Sequence, residues 1–396
     1  MSSSLNKLTN ETFHRFISEN ENADVTKLLL AGNKPDVDMK LAVDQILSRL
    51  KSKGKLASWL RQDGLIFPPP LSIEQASSDL TAAYKSELLS GDHLVDLTGG
   101  MGVDTLAFAT SFERVTYVEP DPWLCEVFEH NALQLGHDNI SIVNQRSEDY
   151  LKTIDSKVTC YIDPARRGNF KQKVFQFEDC SPDLTEMLIL LKEKSERVLV
   201  KASPMIDLTE GIRALKYVDL VHILSIKNDC KEVLFDLHFN VKKNNPAIKT
   251  VNYTDQGIES FTFDLIQAKV DLNCFSEPKS YLYEPNASVL KGGGFASICS
   301  SFPVYKIQQN THLFTSDFII EEFPGRKFIV LKDGITKADI ETFIPDKKVN
   351  IITRNYPIKP EEIKKKYKLK DGGNQYLIGY RNMENKAKLL VAGRLN

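Results

Sequence analysis

The spacing of apolar residues changes character along the chain. In VDMKLAVDQILSRLKSKGKLASWL the apolar positions Met39, Leu41, Ala42, Ile46, Leu47 and Leu50 fit a 3.6-residue period, which predicts helix. Residues 1 to about 70 read as helical, and the FPPP run at 67–70 stops the pattern. LSIEQASSDLTAAYKSELLSG predicts one more helix, ending near Gly91. From Leu94 short apolar runs alternate with helical periods. LVDL, VTYVE (115–119), ISIV (140–143), VTCYID (158–163) and RVLVKAS (197–203) predict strands. Helices are expected over VDTLAFATS, from Asp121-Pro122 to about Gly136, and from Ser181-Pro182 through LTEMLILLKEK. The last two have a capping side chain before a proline at the first helical position. VDLVHILSI and EVLFDLHF, joined through Asn228-Asp229, predict a closing antiparallel pair. Strands alternating with helices imply a mostly parallel sheet covered on both faces.

Beyond Val241, KKNNPA reads as a linker. SFTFDLI, YLYEPNASVLKGGGFASI and YKIQQNTHLFTS contain strand-like runs and loops, and FPGRKFIVL, IITRNYP and YLIGYR predict further strands around a helix over PEEIKKKYK. The 396 residues are 42% hydrophobic and 26% charged, ordinary for a folded protein with room for two or three domains. No apolar run reaches the length of about 18 residues that a membrane span needs, and the N-terminus has no secretory pattern, so a cytoplasmic protein without a membrane partner is expected. The six cysteines form no C-x-x-C pair, so free thiols and no metal are expected. Charge is uneven. Residues 326–396 hold 17 Lys+Arg against 8 Asp+Glu, or +9, while the rest of the chain carries −11. Such asymmetry points to a polyanion-binding end, with a merely solvated helix face as the plainer alternative.

Candidate chemistry centres on LVDLTGGMGVDTLAFA (94–109), where a strand runs through Gly99, Gly100 and Gly102 into a helix. Such junctions present backbone N–H groups and a helix N-terminus to a nucleotide-like ligand. Asp96, Gly100 and Gly102 follow the first strand, and Glu119 ends the second, 23 residues after Asp96, at a distance suited to ribose hydroxyls. A dinucleotide fingerprint wants a third glycine where this chain has Thr105, and Asp104 would repel a pyrophosphate. A carboxylate there suits a cation such as the ammonium of a methionine moiety, which favours S-adenosylmethionine (SAM) as cofactor. Asp96, Thr98, Gly100, Gly102 and Asp104 are expected to hold its methionine part and Glu119 its ribose. Ser147 and Glu148, after the third strand, are the expected adenine contacts.

The fourth strand ends in YIDPARRG (161–168). Proline restricts its own φ and disfavours helix at the residue before it, so Asp163 is expected to face the reaction site. Arg166 and Arg167 are suited to a substrate phosphate or carboxylate. Together, LVDLTGGMGVD, Glu119 and DPARR resemble the class I SAM-dependent methyltransferases. More narrowly, QASSDLTAAYK, KASPMIDL, YLYEPNASVLKGGGF and FPGRKFIV…TRNYP…GGNQYL resemble a bacterial methyltransferase group, over roughly residues 60 to 396.

That resemblance implies an α/β fold: a Rossmann-like seven-stranded methyltransferase sheet, an N-terminal helical part, and C-terminal α+β modules, one ferredoxin-like and one THUMP-like. The implied boundaries are 1–70, 71–245, 250–325 and 326–396. THUMP domains in RNA-modifying enzymes bind RNA, so the resemblance implies an RNA methyltransferase, with RNA as partner of the basic C-terminal unit. The catalytic residues would be Asp163, Arg166 and Arg167. Three positions depart from related patterns: Ala165 and Arg166 replace the Pro-aromatic pair of base-amine methylases, Ser203 stands where uracil-5 methylases have a cysteine, and Arg146 replaces a frequent acid. A methyltransferase for protein or a small molecule, and a non-catalytic RNA-binding protein on the same fold, remain as alternatives.

Overall fold

The structure is a computed structural model that describes residues 3–30, 32, 37–166, 176–240, 245–265 and 270–395. The chain divides into two compact units: Met1–Ala202 with Thr209–Tyr217 and Asp236–Lys242, and Ser203–Leu208 with Val218–Phe235 and Lys243–Asn396. Nine strands supply the larger sheet: β1 (Gly91–Asp96), β2 (Phe112–Val118), β3 (Ile140–Val143), β4 (Val158–Ile162), β5 (Ser195–Ala202), β6 (Val218–Ile226), β7 (Asp229–His238), β8 (Ala247–Thr254) and β9 (Gly257–Asp264). Within the first unit the order is β5-β4-β1-β2-β3, and within the second it is β9-β8-β6-β7.

In the first unit β1 lies between β2 and β4, and the pairings from β3 through β2, β1 and β4 to β5 are all parallel. The buried face of each strand explains its place, since Leu94, Val95, Tyr117, Val118, Cys160 and Ile162 are all buried. β1 is the switch point: the chain runs outward from it through β2 and β3 and then crosses back to β4 on its other side, which opens a crevice at the strands' carboxyl ends. The N-terminal helices of this unit bury Trp59, Phe67 and Ile73 with Val103, Tyr117 and Phe128. Asn131 and Gln45 each exchange two hydrogen bonds with the backbone, at Ile66 and Phe67 respectively, and so satisfy the proline-rich segment that cannot pair with a strand.

Local chemistry altered three expectations. The single helix expected over 71–91 is two, Pro70–Gln75 and Asp79–Leu88, because the Ser78 hydroxyl accepts from Thr81 N–H in a capping box and starts a new helix. Leu184–Lys194 is capped by Asp183, which accepts from Thr185 and Glu186 N–H, rather than by Ser181. The β6–β7 turn is Lys227–Asn228, both with positive φ (51° and 63°), one residue earlier than expected. Of the linker expected at 242–247, residues 242–244 lie outside the described residues, and β8 begins at Ala247.

In the second unit β8 pairs parallel to β6 and antiparallel to β9. A seven-stranded sheet follows, built from β10 (Tyr281–Pro285), β11 (Tyr305–Gln308), β12 (Thr311–Ser316), β13 (Gly325–Asp333), β14 (Asn350–Arg354), β15 (Gln375–Arg381) and β16 (Ala387–Leu395), in the order β11-β12-β10-β13-β16-β15-β14. The last strand, β16, and the helix Lys337–Phe343 carry no signal that the sequence reading picked up. The sheet curls on itself: Leu282, Ile307 and Leu313 from one end share a core with Ile352, Ile378 and Tyr380 from the other. Helices Lys337–Phe343 and Pro360–Tyr367 cover a separate face through Ile340, Ile344 and Ile363. Among the described residues no helix is long and apolar enough to cross a membrane.

Candidate functional site

At the carboxyl ends of β1, β2 and β4 a cavity of about 450 Å³ opens, a volume suited to a cofactor-sized ligand. It is lined by every cofactor residue expected from the sequence: Asp96, Thr98, Gly100, Gly102, Asp104, Glu119, Ser147 and Glu148. Asp163 and Ala165 line it too. The expected site residues before position 166 therefore come together in one place. Arg166 lies on a two-residue strand, Ala165–Arg166, paired antiparallel with Cys180–Ser181. Arg167 lies outside the described residues.

The glycines are needed for different reasons. A Cβ on Gly99 would stand 2.2 Å from the Tyr117 ring, and one on Gly102 would stand 2.1 Å from the Phe128 ring. Those rings stack at 3.9 Å, so the loop lies flat on a rigid aromatic pair. Only Gly100, at φ +54°, has open space where a side chain would be, its nearest neighbour being Thr98 O at 3.7 Å. Two of the three glycines thus serve loop packing, and Gly100 keeps the backbone open to the cavity.

Glu119 staples the loop. Its Oε2 accepts from Gly100 N–H and its Oε1 from Asp121 N–H, both at 3.0 Å, while Tyr117 OH donates to Gly100 O at 2.7 Å. A carboxylate oxygen can accept more than one hydrogen bond, so both oxygens keep capacity for ligand hydroxyls. Asp96 is buried and accepts from Thr98 N–H at 3.0 Å and Thr105 Oγ1 at 2.6 Å. The residue in place of a third glycine thus holds Asp96. Burial pushes the Asp96 carboxyl up to about 7, against the pull of those two hydrogen bonds. Ser147 donates to Leu97 O at 2.5 Å, and Arg146 pairs with Glu148 at 3.3 Å.

Ser77, Lys85, Tyr161 and Lys201 also belong to this network, and none of them was expected from the sequence. Asp104 accepts from Ser77 Oγ and Tyr161 OH, each at 2.7 Å, and pairs with Lys85 Nζ at 3.2 Å. Lys85 is fully buried and also reaches Ser77 Oγ at 3.0 Å. Burial opposes ionisation of Asp104, but the Lys85 and Lys201 charges and the two hydroxyls outweigh it and hold its carboxyl below the usual range. Its charge is therefore balanced from within the protein. At the fourth strand, Lys201 Nζ pairs with Asp163 Oδ2 at 2.6 Å, and Asp163 N–H donates to Thr98 Oγ1 at 2.6 Å. A signal for Lys85 was present: it shares the helix stripe of Thr81, Ala82 and Leu89, all buried, so a cation there had to find a partner. Lys201 sits inside KASPMIDL, 38 residues after Asp163, and no local pattern in the sequence pairs the two.

Residues 281–324 match the ferredoxin-like domain family, and residues 329–394 match the THUMP domain-like family. A solved structure from Porphyromonas gingivalis W83, provisionally assigned as a methyltransferase, superposes with a TM-score of 0.86 at 26% identity, covering 99% of both chains. An uncharacterized S-adenosylmethionine-dependent methyltransferase of Mycobacterium tuberculosis is 25% identical over 193 residues, 48% of this chain. This chain is a homologue of SAM-dependent methyltransferases. The match spans about half (51%) of the mycobacterial relative's own length. This homologue carries a methyltransferase fold followed by ferredoxin-like and THUMP-like domains. Among its described residues no cluster of three or more His, Cys, Asp or Glu could hold a metal ion.

Proposed function

We propose that the chain is a SAM-dependent methyltransferase that acts on RNA. The observation that carries the reading is the cavity at the β1 switch point, where an open glycine peptide, a stapled Glu119 and Asp163 line one space. The donor set fits the cofactor. Acceptor-only carboxylates suit ribose hydroxyls and an ammonium, and the space at Gly100 admits a close approach. When bound, SAM supplies an electrophilic methyl group on a sulfonium. In this reading Glu119 holds the ribose, Asp96, Thr98, Gly100 and Gly102 hold the methionine part, and Ser147 and Glu148 flank the adenine. Asp104, already balanced by Lys85, shapes the floor beneath them. Lys201 holds Asp163 by one oxygen, so the carboxylate stays oriented, and its other oxygen accepts a hydrogen bond from a substrate N–H. Arg166 and Arg167 are assigned to the substrate phosphate. Methyl transfer from a sulfonium needs alignment more than acid–base chemistry, so positioning supplies most of the rate.

RNA is supported by the +9 charge of residues 326–396 and by the THUMP-like domain within them. The test has two steps. Titration calorimetry with SAM should give saturable binding, and Glu119→Ala should weaken it about ten- to hundredfold, the scale of losing charge-assisted hydrogen bonds. Methyl-labelled SAM is then offered with RNA from cells lacking the gene, and labelled nucleosides are identified by mass spectrometry. SAM binding without label in RNA would turn the reading toward another substrate or a non-catalytic protein. No SAM binding at all would remove the reading entirely.

A further inference from the structure

Three of the segments that carry the family resemblance meet at one point of the second unit. Glu284 from YLYEPNAS, Arg326 from FPGRKFIV and Arg354 from TRNYP form a single charged cluster. Glu284 is 1% exposed on β10, and Arg326 faces it directly across the ladder on β13. Arg326 Nε donates to Glu284 Oε2 at 2.6 Å, and its Nη2 pairs with the same oxygen. Arg354, the last residue of β14, pairs through Nη2 with Glu284 Oε1 and donates from Nη1 to Thr353 O at 2.8 Å. Gly325 allows the approach: a Cβ there would lie 2.1 Å from Glu284 O. Asn355, at φ +53°, turns the chain away and donates to Gln308 Oε1 at 3.2 Å.

One arginine would already balance the charge of Glu284. Here two converge on it, so the cluster keeps a net charge of +1. A guanidinium has five N–H donors in a rigid fork, and two of each are engaged as described, which leaves donors to spare on both. The Arg326 and Arg354 side chains are 26% and 34% exposed, so the fork is held from the buried side and open on the other. Paired, planar, pre-oriented guanidiniums match an anion with several acceptor oxygens, a phosphate or a carboxylate, and a phosphate is the one that an RNA partner supplies. The surrounding residues 326–396 add a further excess of positive charge.

We infer that Arg326 and Arg354, aimed by the buried Glu284, bind one phosphodiester group of RNA. The inference rests on the RNA reading above and gives it a place on the protein. The full chain is titrated into a fluorescein-labelled single-stranded RNA oligonucleotide over a potassium chloride series, as wild type, as Arg326→Gln with Arg354→Gln, and as Lys365→Gln with Lys366→Gln. The double arginine variant should bind about tenfold more weakly. Its salt slope should be smaller by about 0.7, the value for one neutralised phosphate of a single strand. The lysine variant controls for net charge and should lose less affinity. On the wild-type protein, phenylglyoxal modification of Arg326 and Arg354, read by mass spectrometry, should be suppressed by the oligonucleotide and not by inorganic phosphate at equal phosphate concentration. This second measurement stands even where the arginine variants fail to fold. Wild-type binding with unprotected arginines, or equal losses in the arginine and lysine variants, overturns the site alone. Absence of RNA binding by the wild type overturns the RNA reading and this site with it. Equal protection by inorganic phosphate shows a generic anion site and overturns the assignment to RNA.

Discussion

At the scale of single residues, the glycines of TGGMG divide by what their missing side chains would meet. Gly102→Ala would place a methyl group inside the Phe128 ring contact and force a positive φ on alanine, whereas Gly100→Ala would meet only the backbone strain. Gly102→Ala should therefore destabilise by about 1–3 kcal/mol more than Gly100→Ala, the range for overpacking a tight core. Urea unfolding of the two variants checks the order, and equal midpoints would show that the Phe128 ring simply moves aside. The glycine pattern and the acid at Glu119 were both legible in the sequence. The reason for Gly99 and Gly102 was not, because it lies in the stacked Tyr117–Phe128 pair, which only the packing of β2 against the helix Pro122–Gln134 brings together.

At the scale of elements, the break between helices Pro70–Gln75 and Asp79–Leu88 brings Ser77 and Lys85 onto Asp104. Lys85→Met would leave the Asp104 carboxylate buried without its cation. Removing one partner of a buried pair costs about 3–5 kcal/mol, and the same loss is expected here at neutral pH. The sign with pH follows from the lowered Asp104 carboxyl. In the wild type its contribution to stability is present above the unfolded carboxyl value of about 4 and is lost as pH falls through the lower folded value. In Lys85→Met burial then dominates and raises the carboxyl, so the variant's deficit should shrink as pH drops from 7 toward 4. Urea midpoints of both proteins across that window measure it. A deficit independent of pH would mean that Lys85 contributes packing rather than charge.

At the scale of the whole molecule, the ferredoxin-like and THUMP-like matches fall on one curled seven-stranded sheet. β10, at residues 281–285, is hydrogen-bonded to β13, at 325–333, and Leu282 and Leu313 share a core with Ile378 and Leu390. A chain ending at Glu322 should thus lose more than basic charge. Residues 281–316 lose a neighbouring strand and the Phe328, Ile352, Ile378, Tyr380 and Leu390 side of their shared core, and limited trypsinolysis should cut them rapidly in the shortened chain while they resist in the full one. Resistance of that segment in the shortened chain would show that the ferredoxin-like portion folds alone.

The sequence by itself determined the period of each element, the strand–glycine–helix junction, the acid at the end of β2, the Asp-Pro step after β4 and the basic end of the chain. These are local: each depends on the φ a residue can adopt, the side on which its apolar group falls, or a sum of charges. Only the tertiary structure decided which charges meet. Lys85 with Asp104, Lys201 with Asp163, and both arginines with Glu284 are separated by 19 to 70 residues in the chain and joined by the sheet. A buried charge must find its partner within a few ångströms wherever the fold brings one, and no local pattern in the sequence records that distance.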